Sequence, residues 1–177
     1  VGGCGANGDC GISTQGTLQV YDATTNSWEI KTAMPSARSH VVIVAIDAKL
    51  YVAGGFGPCP PCTPVPQLEV YDPATDTWTT RAAMPSGRCC WSGGAIGGKL
   101  YVAGITCCPT PFSFTTDVYN PATDTWSALT PCPSPPRQAF SAGVVNGILY
   151  LISGDFLPSG APADRVDAYD PSSDAWS

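Results

Sequence analysis

The sequence predicts an all-β fold built from repeated four-stranded sheets, and three observations lead to this prediction. The 177 residues include 19 Gly and 18 Pro, which are the poorest helix formers. Hydrophobic residues make up 44% of the chain, which is enough for a core and argues against disorder. The third observation is a repeat of about fifty residues that runs through the chain. The length fits a single domain.

The repeat is clearest in pairs of Tyr and Trp. The tyrosines lie 50, 48 and 50 residues apart and are Tyr21, Tyr71, Tyr119 and Tyr169. The tryptophans have the same spacings and are Trp28, Trp78, Trp126 and Trp176. Each pair encloses a turn segment, as in YDPATDTW at 71–78 and YNPATDTW at 119–126. Asp and Pro favour turns there, because Asp side chains bond the nearby backbone and Pro fixes φ.

Two further motifs recur in phase with these pairs. The first is KLYVAGG at 49–55, KLYVAG at 99–104 and ILYLISG at 148–154. The second is AMPSAR at 33–38, AMPSGR at 83–88 and PCPSPPR at 131–137. Each unit then gives four strands, A to D, which in the second unit cover about 39–46, 49–54, 67–72 and 77–82. Strands A and B are nearly continuous apolar runs, which predicts burial on both faces and stacking of neighbouring sheets in a ring.

These motifs resemble the kelch repeat, and the resemblance implies a kelch-like β-propeller with four-stranded blades. About four blades are expected: a partial blade 1 (1–37), blade 2 (38–87), blade 3 (88–136) and blade 4 (137–177), whose last strand is missing. The first blade lacks strand A and most of B. The family pattern implies a closed ring of about six or seven blades. Three explanations for the small number of blades stay open. The chain is a segment of a longer protein, its open edges pair with other copies, or it closes as a small four-bladed ring.

Composition and charge restrict the partners. The net charge of −6 and the pI near 4.4 argue against nucleic-acid binding, which needs a basic surface. No apolar run approaches the roughly 20 residues that span a bilayer. Nine cysteines favour a secreted protein with disulfides, and the odd number leaves at least one thiol unpaired within the chain. The chain does not begin with Met, so any targeting segment has been removed or lies outside this sequence.

The cysteines are expected at one end of the blades, in the B–C loops and the D–A connections; this end is called the binding rim below. They are Cys4, Cys10, Cys59, Cys62, Cys89, Cys90, Cys107, Cys108 and Cys132. Loop-stapling disulfides are favoured, with local pairs Cys4–Cys10 and Cys59–Cys62 as the simplest assignment. The two adjacent pairs could form strained vicinal disulfides or cross-link neighbouring loops. Cys132 is then the odd cysteine. A metal site or a redox pair at CPPC is the alternative, but a second CxxC is missing.

The sequence does not predict an active site. His40 is the only histidine and aligns near the start of an innermost strand, which favours a hydrogen-bonded residue of the axial channel. Some secreted kelch-like propellers are copper radical oxidases, but their copper site needs more than one His. No hydrolytic nucleophile motif is visible. We therefore expect no enzyme activity, no cofactor and no metal. Asp76, Asp124 and Asp174 are interpreted as turn formers, with weak calcium contact as the alternative.

Arginines and aromatic residues supply the candidate binding residues. Arg38, Arg88 and Arg137 recur at the D–A connections, where the kelch resemblance implies partner binding. Their repetition also fits a structural bond to neighbouring backbone. Residues that do not repeat are better candidates for specificity, because exposed aromatics in a loop cluster often mark a binding surface. These residues are Phe56, Trp91, Phe112, Phe114, Phe156 and Arg165.

Three hypotheses for the function follow. The leading one is a secreted, non-enzymatic module that binds a protein or a glycan through the disulfide-stapled binding rim. The second is a repeating subunit of an extracellular fibre or surface layer, joined through incomplete blades. The third is a fragment of an enzyme whose catalytic residues lie outside this sequence.

Overall fold

The computed structural model describes residues 15–58, 63–87, 89–106 and 113–177, without the side chains of 89, 90 and 106. This part of the chain forms sixteen strands and no helix. The strands are β1 (Leu18–Asp22), β2 (Ser27–Lys31), β3 (Val42–Ile46), β4 (Lys49–Ala53), β5 (Leu68–Asp72), β6 (Thr77–Arg81), β7 (Cys89–Ile96), β8 (Lys99–Thr106), β9 (Ser113–Asn120), β10 (Thr125–Leu129), β11 (Arg137–Gln138), β12 (Ser141–Val145), β13 (Ile148–Ile152), β14 (Asp155–Phe156), β15 (Val166–Asp170) and β16 (Ala175–Trp176).

The strands form antiparallel blades in chain order. Blade 2 is β3-β4-β5-β6, blade 3 is β7-β8-β9-β10 and blade 4 is β12-β13-β15-β16. Blade 1 is represented by the pair β1-β2, and β11 pairs with β14 beside blade 4. The predicted all-β propeller architecture is confirmed, and the incomplete first blade stays a prediction because residues 1–14 lie outside the described residues. The last strand of blade 4 is only the two residues Ala175–Trp176.

Short turns set the register of the first two strands in each complete blade. The A–B turns are Asp47-Ala48, Gly97-Gly98 and Asn146-Gly147, and all six residues have positive φ. Two positive φ values in a two-residue loop give the primed turn whose twist matches that of antiparallel strands. Leu50 therefore lies opposite Ala45 in blade 2, and Leu100 opposite Ala95 in blade 3.

The innermost strand of blade 2 begins later than predicted. Strand A was expected from about residue 39, but β3 begins at Val42. His40 has a φ of 54°, in the left-handed region, so regular pairing cannot run through it. Ala139 of blade 4 has the same conformation, with a φ of 55°. Ser39 instead makes an isolated bridge with Phe56. Both left-handed residues lie at the binding rim.

Burial of the innermost strands depends on their neighbours. In β7 of blade 3 both faces are covered, and a Cβ on Gly94 would overlap Cγ2 of Val144 in blade 4. In β3 only alternate residues are buried, and Ile43 is exposed. The prediction of two-sided burial is therefore wrong for β3 and β12, because the described residues provide no sheet against their second face.

The core lies between the blades rather than inside any one of them. One cluster joins β3, β4 and β5 of blade 2 to Leu100, Val102 and Tyr119 of blade 3. A second joins Tyr101, Ala103 and Ile105 of blade 3 to blade 4. Each blade therefore buries its apolar faces only against its neighbours, as expected for a propeller.

Candidate binding rim

Eight of the predicted rim residues other than cysteine lie in the described part of the chain, while Arg88 and Phe112 lie outside it. The structure divides these eight into buried and accessible groups. The buried group is Arg38, Arg137 and Phe114. The accessible or half-buried group is His40, Phe56, Trp91, Phe156 and Arg165.

Arg38 is held inside blade 2 by an ion pair. Its Nη1 lies 2.6 Å from Oε2 of Glu69, and Nη2 donates to the carbonyl oxygen of Val52 at 3.0 Å. The other carboxylate oxygen of Glu69 accepts a hydrogen bond from Ser36 at 3.0 Å. Arg38 and Glu69 are each only 1% exposed. Burial lowers the pKa of Arg38, and the adjacent Glu69 carboxylate opposes this effect.

Blade 4 repeats this cluster with a second arginine. Nη1 of Arg137 lies 2.5 Å from Oδ2 of Asp167, a charged contact without the angle of an aligned hydrogen bond. Oδ1 of Asp167 accepts hydrogen bonds from Ser134 at 2.6 Å and from Nη2 of Arg165 at 2.8 Å. Burial raises the pKa of Asp167, but Ser134 and the two guanidinium groups outweigh it, so the pKa lies below its ordinary value.

The binding role expected for Arg38 and Arg137 stays a prediction, and the structure gives both residues a structural role. Both guanidinium groups are enclosed, pair with a buried carboxylate and bond the backbone of strand B. The alternative interpretation of the repeat, a structural bond to neighbouring backbone, describes both residues. Sequence reasoning did not identify the acids Glu69 and Asp167. Their place two residues before Tyr71 and Tyr169, shared by Asp117 before Tyr119, is the signal that could have found them.

Two of the accessible residues, His40 and Trp91, line a cavity between blades 2, 3 and 4, called the axial cavity below. It has a volume of about 300 Å³. Its lining residues are His40, Val41, Trp91, Gln138, Ala139 and Phe140. His40 packs edge-on against Phe56, with ring centroids 5.8 Å apart, and its Nδ1 lies 3.2 Å from Oγ of Ser39. His40 and Trp91 were predicted for this rim, whereas Val41, Gln138 and Phe140 were not.

Two predicted aromatic residues do not join this cavity. Phe114 is 7% exposed and packs on Phe140 with centroids 5.6 Å apart, so its predicted role in specificity is corrected to one in the core. Phe156 is half-buried in β14, which pairs with β11. The pairing places Phe156 opposite Arg137, beside the blade 4 ion pair.

Only one cysteine has a described side chain. Cys132 is an unpaired, buried thiol in the core between blades 3 and 4. Cys132 stands two residues before Ser134. Met34 and Met84 hold the same position in the earlier repeats, before Ser36 and Ser86, and both methionines are also buried. Cys132 therefore takes the place of a core methionine, which the AMPS and PCPS motifs could have revealed.

The remaining cysteine predictions stay predictions. Cys89 and Cys90 lie in β7, but their side chains are not described. The six others lie outside the described residues, namely Cys4, Cys10, Cys59, Cys62, Cys107 and Cys108.

The repeated aspartates and tryptophans bind each blade to the blade before it. The amide of Thr32 donates to Oδ1 of Asp76 at 3.0 Å, and Nε1 of Trp78 donates to the carbonyl oxygen of Thr32 at 2.8 Å. Oδ1 of Asp76 also accepts from the hydroxyl of Tyr71 at 2.7 Å. We call this arrangement the interblade pair. It lies at the rim opposite the binding rim.

The interblade pair recurs at each described blade boundary. Asp124 and Trp126 bond the backbone of Ala82, and Asp174 and Trp176 bond the backbone of Thr130. The aspartates have positive φ and end their turns, as expected of turn formers. The hydrogen bond inside each turn is accepted instead by an earlier side chain, as where the amide of Ala74 donates to Oδ1 of Asp72 at 2.9 Å. Sequence reasoning missed the bonds between blades.

Neither a metal cluster nor a membrane helix is found in the described parts of the chain. No group of three or more His, Cys, Asp or Glu side chains there is arranged to hold a metal ion. No helix there has the length and apolar character needed to cross a bilayer.

Comparison with known proteins supports the repeat assignment. Residues 37–85 match the family model described as Kelch motif. Kelch-like protein 41 of Homo sapiens is 38% identical over 40 residues, which are 23% of this chain and 7% of that protein. A solved structure entitled "Structure of YjhT" superposes with a TM-score of 0.75 at 17% identity, covering 94% of this chain and 65% of that one. The chain thus carries a kelch motif at residues 37–85, and its blades superpose on a β-propeller, which shows the fold.

Proposed function

We propose that the chain belongs to a secreted, non-enzymatic kelch propeller that binds a protein or a glycan through its binding rim. The kelch fold favours a protein-interaction scaffold. The observation that carries the proposal is the axial cavity of about 300 Å³, which is lined by Trp91 of β7 and by residues that immediately precede β3 and β12. This volume is at the lower end of known ligand sites and suits one inserted side chain or one sugar ring.

The chemistry of the cavity supports binding rather than catalysis. Its walls combine the aromatic rings of Trp91 and Phe140 with the imidazole of His40. Phe56 lies beside His40 and extends the apolar surface towards solvent. Rigid aromatic groups around a few polar atoms are typical of residues that dominate binding energy.

The test measures the binding of the same partners to two variants, each altered at one rim only. The double variant His40→Ala/Phe56→Ala removes the imidazole that lines the cavity and the phenyl ring packed against it, while Lys99→Ala changes the opposite rim. Candidate proteins from extracellular fluid and a glycan array are tested for binding to both variants and to the unchanged chain. A partner lost only with the cavity variant supports the proposal. If every partner binds both variants equally, the binding rim is not the binding site.

Secretion and loop-stapling disulfides are part of this proposal. The nine cysteines support them, because disulfides persist in oxidising compartments. The intact mass of the native protein after alkylation, with and without prior reduction, counts its disulfides. The proposal requires reduction to increase the number of alkylated thiols. An unchanged number would remove the disulfides from it.

A second candidate function is assembly with other copies, and the outer face of blade 1 favours it. Tyr21, Trp28 and Ile30 are 46, 69 and 73% exposed. Trp78, the equivalent of Trp28, is largely covered and bonds the preceding blade. Assembly predicts a mass that rises with concentration in light scattering and falls in the variant Trp28→Glu/Ile30→Lys. A monomer at every concentration would contradict it.

A further inference from the structure

The ion-pair clusters of blades 2 and 4 occupy the same place in the repeat but differ by one cation. Arg38 pairs with Glu69 in blade 2, as Arg137 pairs with Asp167 in blade 4. In blade 4 the carboxylate also holds Arg165, two residues before it, at 2.8 Å. The residue two positions before Glu69 is Gln67. Blade 2 thus has a neutral amide where blade 4 has a second guanidinium group.

The amide of Gln67 has an unused acceptor. Its Oε1 is buried and has no hydrogen-bond donor among the described residues. A buried acceptor without a donor costs free energy, and a ligand that donates a hydrogen bond removes that cost. The nearby Glu69 also has spare capacity, because among the described residues its Oε1 accepts only the Ser36 hydroxyl. The corresponding oxygen of Asp167 accepts Ser134 and two nitrogens of Arg165.

A cavity of about 300 Å³ lies beside Gln67 at the binding rim. The described residues that line it are Ser36, Ala37, Arg38, Gly57, Pro58, Val65 and Gln67. Ser36 and Arg38 both bond Glu69, so the carboxylate stands directly behind this wall. The three polar residues correspond to Ser134, Arg137 and Arg165 of blade 4. The lining includes the residue that Arg165 replaces in blade 4, and the remaining wall is apolar.

We propose that this cavity, the Gln67 cavity, binds the guanidinium group of an arginine side chain presented by a protein partner. The proposal rests on the proposed function, in which the rim binds a protein, and it names the chemistry of one contact. Oε1 of Gln67 is buried in this structure, so the half-buried side chain turns towards the cavity on binding and accepts a hydrogen bond from the partner's guanidinium group. The guanidinium group then lies close to the charge of Glu69, while its methylenes cover Val65 and Pro58. Blade 4 provides the internal precedent, because two arginines there share one buried acid.

Solvent exposure makes a second cation tolerable beside Arg38. In blade 4 the side chain of Arg165 is 44% exposed while its guanidinium group bonds the buried acid. Its charge is therefore partly hydrated, and repulsion from Arg137 is reduced. A partner's arginine entering the Gln67 cavity from the rim would likewise keep part of its charge in water. The planar guanidinium fork also suits two adjacent acceptors better than an ammonium group does.

The experiment uses N-acetyl-arginine amide as the probe, with N-acetyl-citrulline amide as its neutral isostere. Both are titrated into the 177-residue chain and followed by NMR chemical shifts. The arginine compound is expected to bind at least tenfold more tightly than the citrulline compound and to perturb the amides around Gln67. Equal affinities for the two probes would overturn the proposal.

Three variants locate the site. Gln67→Arg places blade 4's own residue in the cavity and should abolish the preference for arginine. Gln67→Leu keeps the size but removes the acceptor, and should also abolish it, so the test survives if one variant fails to fold. Arg165→Gln should create a second site and raise the stoichiometry from one to two. Preference retained in both Gln67 variants, or a stoichiometry that stays at one, would contradict the proposal.

The same measurements separate this proposal from the proposed function. Protein or glycan partners that require His40 and Phe56 test the axial cavity, which does not include Gln67. If such partners bind but the chain does not prefer the arginine probe, only the proposal for the Gln67 cavity is overturned. If the chain prefers the arginine probe but no partner depends on His40 and Phe56, only the proposed use of the axial cavity is overturned.

Discussion

A buried arginine is stable only with its acid. Arg137 is fully buried and its charge is balanced by Asp167. We predict that Asp167→Asn lowers the free energy of unfolding by about 3–5 kcal/mol, because it leaves a buried cation without a counter-charge. Urea denaturation at pH 7 measures the loss.

A double variant separates the cost of breaking the pair from the value of the pair. Arg137→Met/Asp167→Leu removes both charges together and should lose less stability than Asp167→Asn alone. A double variant less stable than the single one would mean that the pair itself stabilises the blade strongly.

Cys132 behaves at the residue scale as a core hydrophobe. Its burial raises the pKa of the thiol, which reduces the reactive thiolate. We predict that iodoacetamide at pH 8 modifies Cys132 at least tenfold more slowly in the native protein than after unfolding in urea, as followed by peptide mass spectrometry. Modification at equal rates in both states would show that the thiol is accessible. Cys132→Met should fold, since Met34 and Met84 occupy the equivalent places.

At the scale of the element, the interblade pairs join one blade to the next. Trp126→Phe keeps most of the apolar ring but removes the 2.8 Å bond from Nε1 to the carbonyl oxygen of Ala82. We predict a loss of about 0.5–1.5 kcal/mol in the free energy of unfolding. Native-state hydrogen exchange should also speed up in β10 and around Ala82, just after β6, which the bond connects.

Trp28→Phe is the matched control for this bond. Trp28 occupies the same place in its repeat, but it is 69% exposed and its indole has no bonding partner in the described part of the chain. The same substitution should therefore change stability by less than about 0.5 kcal/mol. Equal losses for Trp28→Phe and Trp126→Phe would mean that the indole bond is not the cause.

At the scale of the whole molecule, stability depends on pH through the repeated Asp and Tyr residues. The hydrogen bond from Tyr71, then that from the Thr32 amide, holds the pKa of Asp76 below its ordinary value of 3.8. Asp124 and Asp174 are shifted in the same direction by the same contacts. A lowered folded pKa stabilises the fold above the unfolded value, and this contribution is lost as the pH falls through the folded value. The melting temperature should therefore fall below about pH 4.

Stability at alkaline pH is limited by a raised pKa rather than by a lowered one. Burial, followed by the bond to Asp76, raises the pKa of Tyr71 from 10.0 to about 12. A raised folded pKa leaves this contribution complete below pH 10 and removes it as the pH rises towards 12. Differential scanning calorimetry from pH 2 to 12 should show both limbs.

A triple variant tests the acid limb. Asp76→Asn/Asp124→Asn/Asp174→Asn keeps an acceptor for each tyrosine, as Asn26 does for Tyr21 at 2.7 Å in blade 1. Its melting temperature should fall less steeply below pH 4 than that of the unchanged chain. Identical slopes would place the acid sensitivity in other carboxylates.

The sequence was sufficient for the architecture because the repeat is carried by local signals. The Tyr and Trp spacings and the two-residue turns determine each blade, and the predicted strands of blade 2 agree with β3 to β6 within three residues. The start of β3 was misplaced because the left-handed φ of His40 has no local sequence signal. Two-sided burial of β3 could not be judged, because it depends on a neighbouring sheet rather than on β3 itself.

The candidate site was less predictable for a related reason. Repetition marked Arg38 and Arg137 as important, but their burial depends on acids 31 and 30 residues further along the chain. Phe114 was predicted at the rim, but it packs on Phe140 of the next blade, and its own sequence neighbourhood gives no sign of that contact. The neutral Gln67 beside Glu69, in place of a second arginine, has a meaning only in space, because the acid and its arginine are far apart in the sequence.

The interblade pairs give the chain a direction. In every pair the Asp and Trp side chains reach back to backbone that was synthesised earlier, as Trp176 does to Thr130. In these hydrogen bonds the completed blade contributes only main-chain groups, and the later blade brings the side chains that attach it. Blades can therefore be added one after another from the ribosome, each docking on a finished predecessor. Loss of a late blade spares the earlier bonds, whereas loss of an early blade leaves a Trp and an Asp without their partners.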